Sequence, residues 1–151
     1  MNWIDNYILG LIDLYGTDDI YELYDCLNIK IKRLNRDNIL LNNSEAFYNR
    51  YSAEGEIVFI EENLSFNYEK FILAHELGHA IMHTSLIMAA FNKTLINKGK
   101  LELQANYFAF KLTNLTFDAI ELYEMTLEQI ACCLELPYEP LKQVVDIQER
   151  M

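Results

Sequence analysis

Apolar residues recur at helical spacing over the first stretch of the chain: Trp3, Ile4, Tyr7, Ile8, Leu11, Ile12 and Tyr15. The spacing predicts a helix over residues 2–15, ended by Gly16. Thr17 is placed to cap a second helix running through Cys26. The period then shortens. Ile29, Lys30, Ile31 and Lys32 alternate, which predicts a half-buried strand over residues 28–34. Residues 38–41 and 45–51 read as further strands, and Ser52-Ala53-Glu54-Gly55 reads as a hairpin turn into a strand over residues 56–60.

Beyond residue 60 the helical period returns. Ser65 or Asn67 can cap a helix that carries Glu69 in its first turn, where a negative charge suits the helix dipole. This helix is expected to reach about Leu86. Residues 101–112 form another, and two or three short helices finish the chain. A small antiparallel or mixed sheet packed against a helical core, with a helical C-terminal part, makes the class α+β.

Length and composition narrow the picture. The chain has 151 residues, 52% of them hydrophobic and 23% charged, which suits one compact domain over residues 1–151. No repeat, low-complexity tract or linker interrupts it. The net charge of −11 disfavours direct nucleic-acid binding, which needs a basic patch, and favours a basic protein partner. The start, Met1-Asn2-Trp3-Ile4-Asp5-Asn6, has neither the basic residues nor the apolar stretch of a secretory leader. No segment approaches the roughly 20 apolar residues of a membrane helix. The three cysteines, Cys26, Cys132 and Cys133, form no CxxC pair. They are expected as buried free thiols in a reducing, cytoplasmic setting. The vicinal pair Cys132-Cys133 motivates a redox or metal sensor only weakly, because adjacent helix residues point apart.

The chemistry gathers at residues 75–79, His-Glu-Leu-Gly-His. Positions i and i+4 of a helix lie on one face, so His75 and His79 can reach a single ion. Zinc accepts neutral imidazole nitrogen in tetrahedral geometry, and Mn2+ or Fe2+ can occupy such a site too. Glu76 sits beside the pair and serves as general base toward a metal-activated water, the pattern of H-E-x-x-H peptidases. A catalytic zinc needs a third protein ligand and an open position. His83 continues the series but lies about 12 Å along an unbroken helix from His75. It reads better as a helix-end residue beside the site. Glu102 is the stronger third ligand. Asn106, one turn further on the same face, is placed to hydrogen-bond the far nitrogen of a ligating histidine. Ala105 and Ala109 are small enough to let the two helices approach closely.

Two motifs in register, Phe71-Ile72-Leu73-Ala74-His75-Glu76-Leu77-Gly78-His79 with His83, then Glu102-x-Gln104-Ala105-Asn106-x-Phe108-Ala109, resemble the ImmA/IrrE family of metallopeptidases. The resemblance covers about residues 20–148. It implies a gluzincin arrangement, with His75, His79 and Glu102 as ligands and Glu76 as base. It also implies a role in phage or mobile-element regulation, where members cleave or relieve a DNA-binding repressor. A basic helix-turn-helix repressor would suit the acidic charge. The alternative is a non-catalytic antirepressor that binds a regulator through the same fold. After Phe108-Ala109 the family usually continues with an apolar run closing on Met-Pro, whereas this chain has Lys111-Leu112-Thr113-Asn114.

Three smaller expectations complete the reading. Tyr48, Tyr51 and His83 are the candidates to stabilise an oxyanion. The strand over residues 56–60 is the candidate sheet edge for a bound peptide. Residues 126–142 have the outline of a helix-turn-helix, but Tyr138-Glu139-Pro140-Leu141-Lys142 lacks base-reading side chains and is expected to pack within the domain.

Overall fold

The computed structural model describes residues 2–91, 99–114 and 124–149, with side chains described as far as Asp146 in the last helix. Helix α1 (Asn2–Tyr15) buries Ile4, Ile8 and Leu11, three positions of the predicted stripe. Helix α2 (Ile20–Cys26) starts two residues later than Thr17 would have started it. Asp19 is its cap, accepting from the Tyr21 and Glu22 amides.

Strand β1 (Lys30–Leu34) runs parallel to β3 (Gly55–Glu61), and β2 (Ala46–Ser52) pairs with β3 in an antiparallel hairpin. Gly55 has φ +94, a conformation that suits glycine at the hairpin turn. Residues 38–41 do not form a strand. Ile39–Leu41 is a 3-10 turn, capped by the Asn38 side chain on the Leu40 amide. Asn42 and Asn43 follow with φ of 47 and 63, which no strand accommodates.

A fourth strand, β4 (Met88–Phe91), pairs antiparallel with β2. The sheet order is β1-β3-β2-β4. The strand over residues 56–60 is therefore inside the sheet with a neighbour on each side. The edges are β1 and β4. The mixed sheet and the helices packed on it make the α+β class observed.

Helix α3 (Phe66–Met82) is the centre of the molecule. Every residue from Phe71 to Ala80 is buried. It stops at Met82 rather than about Leu86, with His83 as the non-helical cap. Arg50 on β2 anchors that end, with Nη2 on the Ala80 carbonyl (2.6 Å), Nε on the Leu86 carbonyl (3.2 Å) and Nη1 on Glu56 (3.2 Å). The other end is tied by Glu69, which accepts from Tyr21 (2.8 Å) and Arg33 (2.6 Å). Arg33 holds the Glu69 carboxyl below its usual range against the opposing effect of burial.

Helix α4 (Lys100–Leu112) packs directly against α3. A Cβ placed at Gly78 would lie 3.1 Å from Phe108 Cδ1 and 3.4 Å from the Ala105 Cα. Gly78 and Ala105 thus set the close approach of the two helices. The atypical stretch after Phe110 ends α4 cleanly, because the Thr113 hydroxyl donates to the Ala109 carbonyl and Asn114 turns with φ 50.

Helices α5 (Leu127–Cys133) and α6 (Tyr138–Glu149) complete the described residues. A third short helix after α4 would fall on residues 115–123, outside them. Pro140, Leu141 and Val144 are buried and α6 lies on α4, so this segment packs inward as expected. The cysteine expectation fails. Cys26, Cys132 and Cys133 are all exposed free thiols, two of them on the outer side of the short helix α5 and one at the end of α2. No described helix is long and apolar enough to cross a membrane.

Candidate metal centre

Burying a polar side chain is costly unless it is paired. Helix α3 buries three such residues within one turn, His75, Glu76 and His79, and exposes none of them by more than 1%. Helix α4 brings Glu102 to the same point. His75 Nε2 and His79 Nε2 are 3.2 Å apart. Glu102 Oε2 lies 3.3 Å from the first, and Oε1 lies 3.2 Å from the second. His75, His79 and Glu102 are the group among the described residues with metal-ligand geometry.

These spacings test the fit to zinc. Ligands about 2.0–2.1 Å from a tetrahedral ion stand about 3.3–3.4 Å from one another. The 3.2 Å between the two imidazole nitrogens is close to this, and each Glu102 oxygen faces a different histidine, as a carboxylate spanning one ion would. The donor set is also right: two imidazole nitrogens and a carboxylate are groups that bind a divalent ion. Glu102 is partly exposed, its side chain 21% accessible, whereas both histidines are buried. The cluster therefore opens to solvent on the Glu102 side.

Both histidines are engaged through Nδ1. His75 Nδ1 lies 2.8 Å from Asn106 Oδ1, and the Asn106 amide donates to Gln143 on α6, also at 2.8 Å. Asn106 thus does what its position on the Glu102 face implied. His79 Nδ1 lies 2.9 Å from His83 Nδ1, and His83 Nε2 lies 3.0 Å from Gln104 Oε1. His83 is on the far side of the His79 ring from Glu102. Phe91 of β4 meets the His75 ring edge-on, with centroids 4.9 Å apart.

Glu76 is fully buried, and among the described residues neither of its carboxylate oxygens has a hydrogen-bond partner. Burial pushes its carboxyl up to about 7, with the Glu102 charge adding to the rise. The His79 imidazole and the Tyr48 backbone, the latter too loosely placed for a hydrogen bond, oppose that rise. Burial also raises the Glu102 carboxyl, but His75 and His79 outweigh it and hold the group well below the usual carboxylate range. Burial lowers the His83 imidazole, while its hydrogen bond to the Gln104 carbonyl oxygen opposes the shift.

Tyr48, Tyr51 and His83 are not brought to the cluster as oxyanion donors. The Tyr48 hydroxyl donates to Glu56 at 2.9 Å, Tyr51 is exposed at 73%, and both ring nitrogens of His83 are engaged. Sequence reasoning gave no role to Gln104, Gln143 or Phe91. Gln104 alone carried a signal, as a polar residue within the second motif.

A family model described as the IrrE N-terminal-like domain matches residues 25–148. The chain belongs to the ImmA/IrrE family. Among curated relatives, the metallopeptidase ImmA of Bacillus subtilis (strain 168) is 33% identical over 112 residues, covering 72% of this chain and 62% of that protein. The chain thus spans less than two thirds of the length of ImmA. The uncharacterized immunity region protein 2 of Bacillus phage phi105 is 30% identical over 142 residues, covering 92% of this chain and 86% of that protein. The ImmA/IrrE match spans the whole constellation, from the β1 strand to the α6 helix that carries Gln143.

Proposed function

We propose that this ImmA/IrrE chain is a zinc-dependent endopeptidase acting on a regulatory protein. The observation that carries the reading is the convergence of His75, His79 and Glu102 to 3.2–3.3 Å, with a buried Glu76 that has no hydrogen-bond partner among the described residues beside them. His75, His79 and Glu102 would hold the ion. When bound, it polarises a peptide carbonyl and acidifies a coordinated water. The donor set also accepts Mn2+ or Fe2+.

The chain's own residues carry the proton. Glu76, held near neutrality by burial, takes a proton from the attacking water and delivers it to the departing amine. Its carboxylate has no competing hydrogen bond to break first. Asn106 and His83 hold the two imidazoles in place.

The substrate strand belongs on β4 rather than on β3, which lies inside the sheet. β4 is an edge, and its Phe91 touches His75, so a peptide added there would pass beside the ligands. The net charge of −11 favours a basic substrate. A DNA-binding repressor, the class of partner that the ImmA/IrrE resemblance implies, fits that chemistry.

The test combines metal content with cleavage. Wild type should bind about one zinc per chain, and Glu102→Ala should lose it. Glu76→Gln should keep the metal and lose cleavage of a co-expressed neighbouring repressor. Relief of repression by Glu76→Gln at the wild-type level would instead establish a non-catalytic antirepressor. A wild-type protein that takes up no divalent metal would overturn the enzyme reading.

A further inference from the structure

We infer that His83 and Gln104 form a proton-ordering relay that fixes His79 in its metal-binding tautomer. The inference rests on the reading of His79 as a ligand, and it concerns residues outside the ligand set. Three side chains lie in line: His79 Nδ1 to His83 Nδ1 at 2.9 Å, then His83 Nε2 to Gln104 Oε1 at 3.0 Å. All three are buried.

The order of donors follows from the far end. A carbonyl oxygen only accepts, so His83 Nε2–H donates to Gln104 Oε1. A neutral imidazole has one N–H, so His83 Nδ1 is bare. His79 Nδ1–H therefore donates to it, and His79 Nε2 is left with its lone pair toward Glu102 and His75. Reversing the Gln104 amide reverses every step. The amide N–H would then donate to His83 Nε2, His83 would donate from Nδ1, and His79 would carry its proton on Nε2, where it blocks a metal. One amide orientation thus decides whether the site can form.

The backbone explains why His83 can do this. As the cap of α3 it leaves helical geometry, with φ −113 and ψ 59, so its ring folds back over the last turn instead of continuing along the axis. Gln104 stands on α4, two residues after Glu102. The same packing of α3 on α4 that delivers the third ligand also delivers the end of the relay. His83 and Gln104 are positioning residues. They act through His79.

The histidine content makes the test direct, because the chain has three histidines. Long-range proton–nitrogen correlation spectra of the 15N-histidine-labelled, metal-free protein in mildly alkaline solution should place the proton on Nε2 of His83 and on Nδ1 of His79. Gln104→Leu should scramble this pattern and weaken zinc binding by about 10–100-fold in chelator competition. A proton on Nε2 of His79 in the wild type, or a Gln104→Leu variant with unchanged affinity, would overturn the relay. Wild type that shows the expected nitrogen pattern but binds no zinc would sink the metalloenzyme reading and leave the relay standing.

Discussion

His75 Nδ1 meets Asn106 Oδ1 at 2.8 Å, linking α3 to α4 directly behind the ligand face. The bond holds the His75 ring and keeps its Nε2 free of a proton. Asn106→Ala removes both effects and should weaken zinc binding by roughly 10–100-fold, as read by chelator competition. Asn106→Asp keeps an acceptor and should bind close to wild type. Equal affinity in all three proteins would mean that packing alone orients His75.

The helix crossing itself can be tested at Gly78. Alanine is favoured in a helix by up to about 1 kcal/mol. A new Cβ would crowd the fully buried Phe108 ring, while it would only touch the Ala105 Cα at ordinary contact distance. Overpacking of this kind costs about 1–3 kcal/mol. Gly78→Ala is therefore expected to lower Tm by a few degrees, about 2–4 °C for each kcal/mol lost. Zinc affinity should fall with it, since Glu102 moves with α4. A raised Tm with unchanged metal binding would show slack in the contact.

Glu76 gives a pH signature in the metal-free protein. Its carboxyl is raised by burial from 4.5 to about 7 in the folded state. A raised carboxyl contributes stability that is complete below its unfolded value and is lost as pH rises through the folded value. Between about pH 5 and pH 8 the wild type should thus lose roughly 1–3 kcal/mol that Glu76→Gln does not lose. Denaturant midpoints of the two metal-free proteins, compared across that range, check the sign. A gap that stays constant with pH would place the ionisation of Glu76 outside this window.

The β4 edge makes a prediction about substrate. Arg50 N donates to the Ile87 carbonyl at 2.8 Å, and antiparallel bonding alternates, so Ala89 and Phe91 also face β2. Met88 and Ala90 then present their backbone groups outward. Ala90→Pro removes one outward amide, which an edge strand tolerates. It should lower kcat/KM for a protein substrate about three- to tenfold and leave metal content unchanged. Full activity in this variant would move the substrate to another edge.

The site was legible from sequence because its rules are local. Helical spacing alone puts His75 with His79 and Glu102 with Asn106, and the structure brings both pairs to one point. The sheet order was not legible. Met88-Ala89-Ala90-Phe91 has no alternation, and only its pairing with β2, some forty residues earlier in the chain, makes it a strand. The run at residues 38–41 looked extended from its apolar side chains, but Asn38, Asn42 and Asn43 close it into a turn through local hydrogen bonds and positive φ. The roles of Gln104, visible only as a polar residue of the second motif, and of Gln143 were hidden for another reason. Their partners come from other helices, and no spacing within one helix announces them.

The hydrogen bond from Asn106 to Gln143 has a consequence for how the protein is made. A ribosome releases His75, His79, Glu102 and Asn106 well before Gln143, which holds the Asn106 amide in place behind the His75 ring. Until α6 has emerged and docked, the nascent chain carries the proposed ligand set without the outer end of its brace. On the proposed metalloenzyme reading, metal uptake at full strength would come late in biosynthesis, and the unfinished chain would be spared a fully formed centre.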